Sequence, residues 1–475
     1  MNEKCIGRIQ CASSAEITQS TVGIGFECLD REVFDPEKCY DLLGRTGVKW
    51  ARCQTGWNRC EREKGVYTFD WLDDVVDRLR AQGVQPWFNV GFGNPIYMPD
   101  TPNPTGVGCV PTLYGAEVTA AWKRFVRALA RHFRGRVREF EIWNEPNIVH
   151  FWYPGEPNGA QYAELVALTG AIIREEVPDC RIGACFAGLM GETPKGDARV
   201  LPYLEAFAAT LPRGAIDFFC YHTYSWFPDA VNARSFAWVK QIMCDYGHTN
   251  LAYWNGECGH ASWYPDNYGQ YPWKTQGNEH RQAVWQLRRF FLDRDFGAER
   301  TSFFQMVDMW QKDYVMASLV QKKPAAQGIL HGITYTPKKS YETIGCLATI
   351  FSGALQPIDH DVEPWYPDDP VEMAALQLIR FARNGRPTYT YWRPTFVEDE
   401  APTIPGLELR INNHRVPGAM TDPVRVDLLT GEVFEIADKS LRYGVWTLRG
   451  LPMAEYPMMI CDRATYAMTP TEAEV

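Results

Sequence analysis

An alternation constrains this chain more than any other feature. Over its first three quarters, short apolar runs take turns with stretches whose apolar residues recur at helical spacing. Eight such runs stand out, at 23–28, 48–53, 84–90, 137–143, 181–185, 216–221, 250–256 and 301–306. Runs of this kind suit strands of a parallel sheet, because helices cover both faces of such a sheet. The helices between them carry start and stop signals. Asp35-Pro36 is an N-cap followed by proline at the first helical position. Asp70 is expected to cap a helix in which Trp71, Leu72, Val75, Val76 and Leu79 share a face and Gly83 ends the run. Trp122, Phe125, Val126, Leu129 and Phe133 stripe another, closed by Gly135. Further helical stretches fall at 159–176, 199–211, 233–246, 278–295 and 336–352. Eight strand–helix repeats predict an α/β fold, a closed (β/α)8 TIM barrel over residues 21–353. An open doubly wound sheet is the alternative, but no glycine-rich phosphate loop follows any run.

Beyond residue 353 the texture changes. Pro357, Pro364, Pro367 and Pro370 crowd a loop, and β-rich runs follow at 388–392, 407–412, 424–428, 433–436, 445–448 and 458–461, with a Thr430-Gly431 turn. This pattern predicts a C-terminal antiparallel β-sandwich over 354–465. Residues 1–20 are a candidate for an added strand, and 466–475 read as a loose tail.

Charge and cysteine usage narrow the function classes. A formal net charge of −10 argues against nucleic acid or an anionic membrane as the main partner. No apolar run approaches the roughly 18–20 residues of a membrane span, and the first residues lack an apolar signal core, so a cytoplasmic protein is expected. The 14 cysteines contain no CxxC pair, so reduced thiols are expected and neither a metal nor another cofactor is called for. The 17 tryptophans and 23 tyrosines exceed what a core needs, and such rings suit stacking on sugars.

A parallel barrel carries its site at the C-terminal ends of its strands. The fourth run ends in Trp143-Asn144-Glu145-Pro146 and the seventh in Asn255-Gly256-Glu257-Cys258-Gly259. Either glutamate alone is plainly read as a solvated strand-end residue. Together they face each other across the barrel mouth, as two carboxyls must for displacement at a sugar carbon. Trp and Pro faces beside Glu145 would raise its pKa toward the range of a general acid, and the glycines beside Glu257 permit close approach of a ligand.

Asn-Glu-Pro closing strand four, with Glu closing strand seven, resembles the large clan of retaining (β/α)8 glycosidases whose acid/base follows an Asn. The barrel with a trailing sandwich most resembles glycoside hydrolase family 39, the β-xylosidase-like members. The resemblance implies Glu145 as general acid/base and Glu257 as nucleophile. It implies that Arg52, ending strand two, supports the nucleophile, and that Asn144 donates to the sugar 2-hydroxyl. It places His222 and Tyr224, in Tyr-His-Thr-Tyr-Ser-Trp after strand six, beside the nucleophile, with the Tyr hydroxyl orienting Glu257. Trp310 after strand eight is a candidate aromatic floor, or else core. Asn89, Asn94, His150, Trp152, Trp263 and Tyr264 are candidates for the pocket wall. Glu27, ending strand one, either meets sugar hydroxyls or pairs with a barrel arginine. The implied activity is retaining hydrolysis of equatorial glycosidic bonds, of β-D or α-L-arabino type, exo-acting on short carbohydrate substrates. Transglycosylation on the same machinery and a non-catalytic carbohydrate-binding barrel are the alternatives; the presence of both glutamates speaks against the latter. β-D-Xylosides are the first candidate, with arabinosides, glucosides and galactosides open. The sandwich is expected to shape the barrel side or a homo-oligomer contact.

Overall fold

The computed structural model describes residues 4–188, 197–225, 227–230, 233–263, 278–309, 326–359, 362–366, 373, 375–395, 402–413 and 420–470. Its first strand, β1 (Cys5–Ile9), stands outside the barrel. The next eight are β2 (Val22–Gly25), β3 (Trp50–Gln54), β4 (Gln85–Val90), β5 (Glu139–Ile142), β6 (Arg181–Ala187), β7 (Phe218–Thr223), β8 (Ala252–Cys258) and β9 (Arg300–Phe303). Each pairs in parallel with its neighbour, and β9 returns to β2 to close the barrel. All eight apolar runs of the sequence are therefore barrel strands.

The intervening helices are α1 (Tyr40–Arg45), α2 (Trp57–Cys60), α3 (Asp70–Ala81), α4 (Ala116–Phe133), α5 (Gly159–Glu176), α6 (Asp197–Thr210), α7 (Ala233–Asp245), α8 (Glu279–Phe296) and α9 (Lys339–Ile350). In α4 the expected stripe is the buried one, from Val118 through Trp122, Phe125 and Leu129 to Phe133. Two starts differ from expectation. Asp35 does cap, accepting from the Glu37 backbone N–H at 3.2 Å, but it opens only a 3-10 turn ahead of α1. Asp70 is the first residue inside α3, not its cap, so its carboxylate acts on the helix dipole instead.

Helix α8 is the exception to amphipathicity. Gln282 to Asp293 are all buried, including Arg288, Arg289 and Asp293, because the sandwich covers the face that would otherwise meet water. Arg288 donates to the backbone oxygens of Glu455, Arg393 (3.1 Å) and Thr395 (2.8 Å). On the barrel side, Asp293 accepts from Tyr221 (3.2 Å), Asn255 (2.8 Å) and Thr301 (3.1 Å), one residue on each of β7, β8 and β9. One helix thus fixes the strands that carry His222 and Glu257 and also seats the second layer of the protein.

That layer is a pair of antiparallel sheets. The larger comprises β10 (Leu355–Pro357), β12 (Gln377–Arg383), β13 (Arg386–Trp392), β19 (Met458–Asp462), β15 (Pro423–Asp427), β16 (Glu432–Glu435), β1 and β20 (Met468–Thr469), in that spatial order. The smaller is β11 (Val362–Trp365), β14 (Ile404–Asn412), β18 (Val445–Met453) and β17 (Asp438–Arg442). Leu407, Leu409, Leu448 and Leu451 from one sheet meet Tyr389, Tyr391 and Ile460 from the other. The N-terminal β1 pairs with β16. The loose tail expected from residue 466 is a correction: Tyr466 is buried and Met468–Thr469 pairs with β1. No described helix is long and apolar enough to cross a membrane. Every cysteine is a free thiol.

At the N-terminal end of the barrel interior, Trp87, Phe218 and Trp254 fill the space between strands, with Phe218 and Trp254 stacked at 3.6 Å. A Cβ at Gly183 would lie 1.9 Å from the Phe218 ring, so only glycine fits beside it.

Candidate active site

Strand alternation sends every second residue into the barrel. Thus Trp50 and Arg52 on β3, Trp87 and Asn89 on β4, and Glu139 and Glu141 on β5 are spaced two apart, the second of each pair nearer the mouth. At the end of β5 the backbone leaves the strand through left-handed conformations at Trp143 (φ 67°) and Glu145 (φ 42°). Such conformations are costly for non-glycine residues and persist where the surroundings hold them. Here the Trp143 indole donates to the Phe151 carbonyl at 2.7 Å and its ring meets Phe92 edge-on. Between β7 and β8 the register slips after Tyr221, bringing His222 opposite Glu257. An irregularity of this kind re-aims a side chain. Gly256 permits it, since a Cβ there would lie 2.2 Å from the Cys220 sulfur.

Arg52 is the hub of the mouth. Its five N–H groups are all used: Nε and Nη2 hold Glu141, Nη1 holds Glu27 (2.7 Å) and Glu257, and Nη2 also reaches Asn144 Oδ1 at 2.9 Å. All of these side chains are buried, Glu257 least so at 7% exposure. Glu257 Oε2 accepts from the Tyr224 hydroxyl at 2.8 Å, with His222 Nδ1 at 3.6 Å. His222 Nδ1 lies 2.8 Å from Glu145 Oε1. One carboxylate oxygen of Glu145 and one of Glu257 lie within 4.8 Å of each other and of a His222 ring nitrogen.

Charges in this lattice separate the carboxyls. Burial opposes ionisation of Glu257, but His222, Arg52 and the Tyr224 hydroxyl outweigh it and hold its pKa below the usual carboxylate value. Glu27 goes the other way: burial dominates, Arg52 offsets it only in part, and the Glu257 charge raises it further. Glu141, also buried, is held low by Arg52. Burial opposes a charged His222, yet Cys185, Glu257 and Glu145 around it raise its pKa well above the usual value. The lattice therefore favours the ionised form of Glu257 and the neutral form of Glu27.

The structure gathers Glu145, Glu257, Arg52, Asn144, His222 and Tyr224 into one set of contacts. Several expectations change. Glu27 is fully buried against Arg52 and Gln54, so it is the arginine's partner rather than a contact for sugar hydroxyls. Asn89 does not line the pocket; its buried amide donates to Glu141 (3.1 Å) and the Trp143 carbonyl (2.6 Å), bracing the β5 end. Asn94 is likewise buried, donating to the Glu61 carbonyl, and Trp152 packs edge-on against Tyr162. His150 is half-buried and makes no hydrogen bond to either glutamate among the described residues. Trp263 is 42% exposed beyond the end of β8. Trp310 and Tyr264 lie outside the described residues.

Glu141 is the principal residue the sequence reading passes over. Its signal is an acid two positions after Glu139 inside an otherwise apolar strand, facing inward. The expectation that the cysteines gather no metal-type cluster is also corrected. Cys185 and Cys220 are register partners on β6 and β7, and with Glu141 and His222 they bring potential ligand atoms within 4.8 Å of one another. Spacing along the chain cannot show this, because neighbouring parallel strands are joined through whole helices. Both Glu141 oxygens already accept from Arg52, Trp87 and Asn89. Burial keeps both thiols protonated, Cys220 with a pKa of about 11. The group is held together by hydrogen bonds.

The family model described as glycosyl hydrolases family 39 matches residues 48–252, a span that holds Arg52, Glu141, Asn144, Glu145, His222 and Tyr224 and ends just before Glu257. A β-xylosidase of Geobacillus stearothermophilus is 29% identical over 133 residues, covering 25% of this chain and 24% of that one. A β-xylosidase of Caldicellulosiruptor saccharolyticus is 28% identical over 208 residues, 40% of this chain and 38% of that one. The chain thus spans less than half the length of either relative. Among solved structures, a family 39 glycoside hydrolase from the gut symbiont Bacteroides cellulosilyticus WH2 superposes with a TM-score of 0.63 at 18% identity, over 93% of this chain and 81% of that one. That identity speaks for the shared barrel-and-sandwich fold alone. In fold, and in the segment that carries most of the mouth's ionic lattice, this chain is similar to the glycosyl hydrolases of family 39.

Proposed function

We propose that this protein is a glycosidase that hydrolyses equatorial glycosidic bonds with net retention, using Glu257 as nucleophile and Glu145 as general acid and then base. The observation that carries this reading is the pair itself: two carboxyls, one just past β5 and one near the end of β8, with oxygens within 4.8 Å, held by different partners. Retaining enzymes hold their carboxyls about 5–5.5 Å apart, whereas inverting ones leave about 6.5–9.5 Å for a water.

In the first step Glu257, ionised by Arg52, Tyr224 and His222, attacks the anomeric carbon. The bond to the leaving oxygen breaks, and that oxygen takes a proton from Glu145. In the second step Glu145, now a carboxylate, takes a proton from water. The hydroxide equivalent displaces Glu257 from the sugar, restoring both groups. Asn144 has its Oδ1 committed to Arg52, which turns its amide N–H groups to a sugar 2-hydroxyl. Trp263, exposed beyond β8, is a candidate wall for the sugar. The two relatives named above are β-xylosidases, and on that ground short β-D-xylosides are the proposed substrates, cleaved from one end.

Glu145→Ala and Glu257→Ala should each abolish cleavage of nitrophenyl glycosides, and wild-type rates in both would refute the assignment. Azide should rescue Glu145→Ala with formation of a β-glycosyl azide. A panel of aryl xylosides, arabinosides, glucosides and galactosides ranks the sugar. Product analysis with added xylobiose separates hydrolysis from glycosyl transfer.

A further inference from the structure

His222 is pinned at both ring nitrogens. Nδ1 meets Glu145 Oε1 at 2.8 Å, and Nε2 meets the Cys185 sulfur at 3.3 Å. The first contact belongs to the acid/base machinery; the second comes from the barrel interior and has no part in the steps above. We propose that Cys185 is a positioning residue for the acid/base: its sulfur receives the His222 Nε2–H and thereby keeps Nδ1–H aimed at Glu145. This rests on the glycosidase reading and deepens it.

The backbone frame of Cys185 is unusually well tied. Its N–H donates to the Tyr162 hydroxyl at 2.7 Å, and that hydroxyl donates to the Ile142 carbonyl at 2.6 Å. One side chain of α5 therefore locks the origin of the thiol to the strand end that carries Glu145. Cys185 is wholly buried, and burial keeps it a thiol. A thiol sulfur is a weak acceptor, and its own S–H remains available to Cys220 and Glu141 on either side. The ring is faced by Glu145, Glu257 and Cys185, with Arg52, Glu27 and Glu141 behind them.

The consequence for catalysis is geometric. With Glu145 at one nitrogen and a sulfur acceptor at the other, the ring is held as an imidazolium that carries a proton on both. With Nε2–H satisfied by sulfur, Nδ1–H stays a donor to Oε1 of Glu145, and the catalytic proton sits on the other oxygen, toward the leaving group. Without the sulfur, a buried N–H has no acceptor, and an unmet donor of this kind is costly. The ring then sheds the Nε2 proton, leaving a neutral imidazole whose Nδ1–H donates more weakly to Glu145, or it turns away. Either response loosens the carboxyl that must deliver a proton.

The test compares full-length wild type with Cys185→Ala and Cys185→Ser on two substrates. One is an aryl glycoside with a poor leaving group that needs protonation; the other is its 2,4-dinitrophenyl analogue, which needs none. Cys185→Ala should lower kcat/KM on the first by roughly 10- to 100-fold, within the 10²–10⁴ that a positioned general acid is worth, and leave the second within about threefold. Cys185→Ser, which keeps an acceptor, should recover most of the loss. In ¹⁵N-histidine spectra the ring nitrogens of His222, assigned by their loss in His222→Gln, should shift in Cys185→Ala and return in Cys185→Ser. An equal loss on both substrates, or unmoved His222 nitrogens, overturns the proposal. If the wild type cleaves no aryl glycoside, the glycosidase reading fails, while the spectra still decide the thiol–imidazole contact.

Discussion

Along the same strands, within two to four residues, the barrel interior changes material. Trp87 on β4, Phe218 on β7 and Trp254 on β8 form an aromatic plug at the N-terminal end, while Asn89, His222 and Glu257 follow on those strands toward the mouth. A cation among the tryptophans is packed like a ring: the Arg300 guanidinium lies 3.2 Å from the Trp50 centroid and 3.9 Å from that of Trp254, and burial pulls its pKa to about 10. Arg52, further up, is instead surrounded by Glu27, Glu141, Glu257 and Asn144. The plug gains by area and shape, which tolerate compact substitutes. The lattice holds by pairing, and loss of one member strands a buried charge. A barrel of this kind separates stability at one end from chemistry at the other.

Several substitutions break or sharpen that contrast. The largest effect is expected at Glu257→Ala, a fall in kcat on the order of 10⁴-fold or more with the melting temperature at or above that of wild type, since Glu141 still balances Arg52. Activity assays beside thermal melts check it; a large destabilisation would mean that the lattice, not the chemistry, needs this carboxylate. Arg52→Met should do both kinds of damage. It leaves Glu141 and Glu257 without their cation, costing about 3–5 kcal/mol in denaturant titrations as well as activity.

Trp254→Ala should cost a similar amount, about 3–5 kcal/mol, by opening a cavity in the plug. Its folded fraction, however, should keep kcat/KM within a few-fold at low temperature. If catalysis collapses with it, the two ends of the interior are not separable. Tyr224→Phe removes a single hydrogen bond to Glu257, so stability should change by about 1 kcal/mol or less and kcat should fall about tenfold.

The smallest effect is a matter of pH. The folded pKa of Glu27 lies above its ordinary value of 4.5, so its contribution to stability is complete below pH 4.5 and is lost as pH rises toward the folded value. Glu257, held low, has the opposite sign: its contribution is present above 4.5 and lost as pH falls below it. Glu27→Gln keeps an acceptor for Arg52 but has no proton to lose. The drop in melting temperature between pH 5 and pH 8 should therefore be smaller in this variant than in wild type, and an unchanged drop would place the Glu27 proton elsewhere.

Much of the fold is legible along the chain because parallel strands are apolar on both faces. Runs such as 181–185 and 216–221 needed no partner to be recognised. The same logic fails for β12 and β17, whose apolar pattern is broken by arginines and a lysine. They are marked better by their turns: Asn384-Gly385 and Tyr443-Gly444 both sit at positive φ, as a two-residue hairpin requires. Helix α8 misleads in its own way, since the charges of Arg288, Arg289 and Asp293 read as solvent-facing until the sandwich is laid over Arg288 and the barrel strands close on Asp293.

At the site, the strand-end position of Glu145 and Glu257 could be read from the sequence, because a barrel's own geometry carries strand ends to one mouth. Their mutual distance, and the partners that make them differ, could not. Arg52, Glu27, Glu141, Cys185 and His222 come from five different strands or strand ends, and no local pattern records that they meet. The sequence by itself determined the barrel and the two carboxyls it delivers to one mouth. Only the tertiary structure decided which carboxyl is ionised, since a buried charge is set by what closes around it.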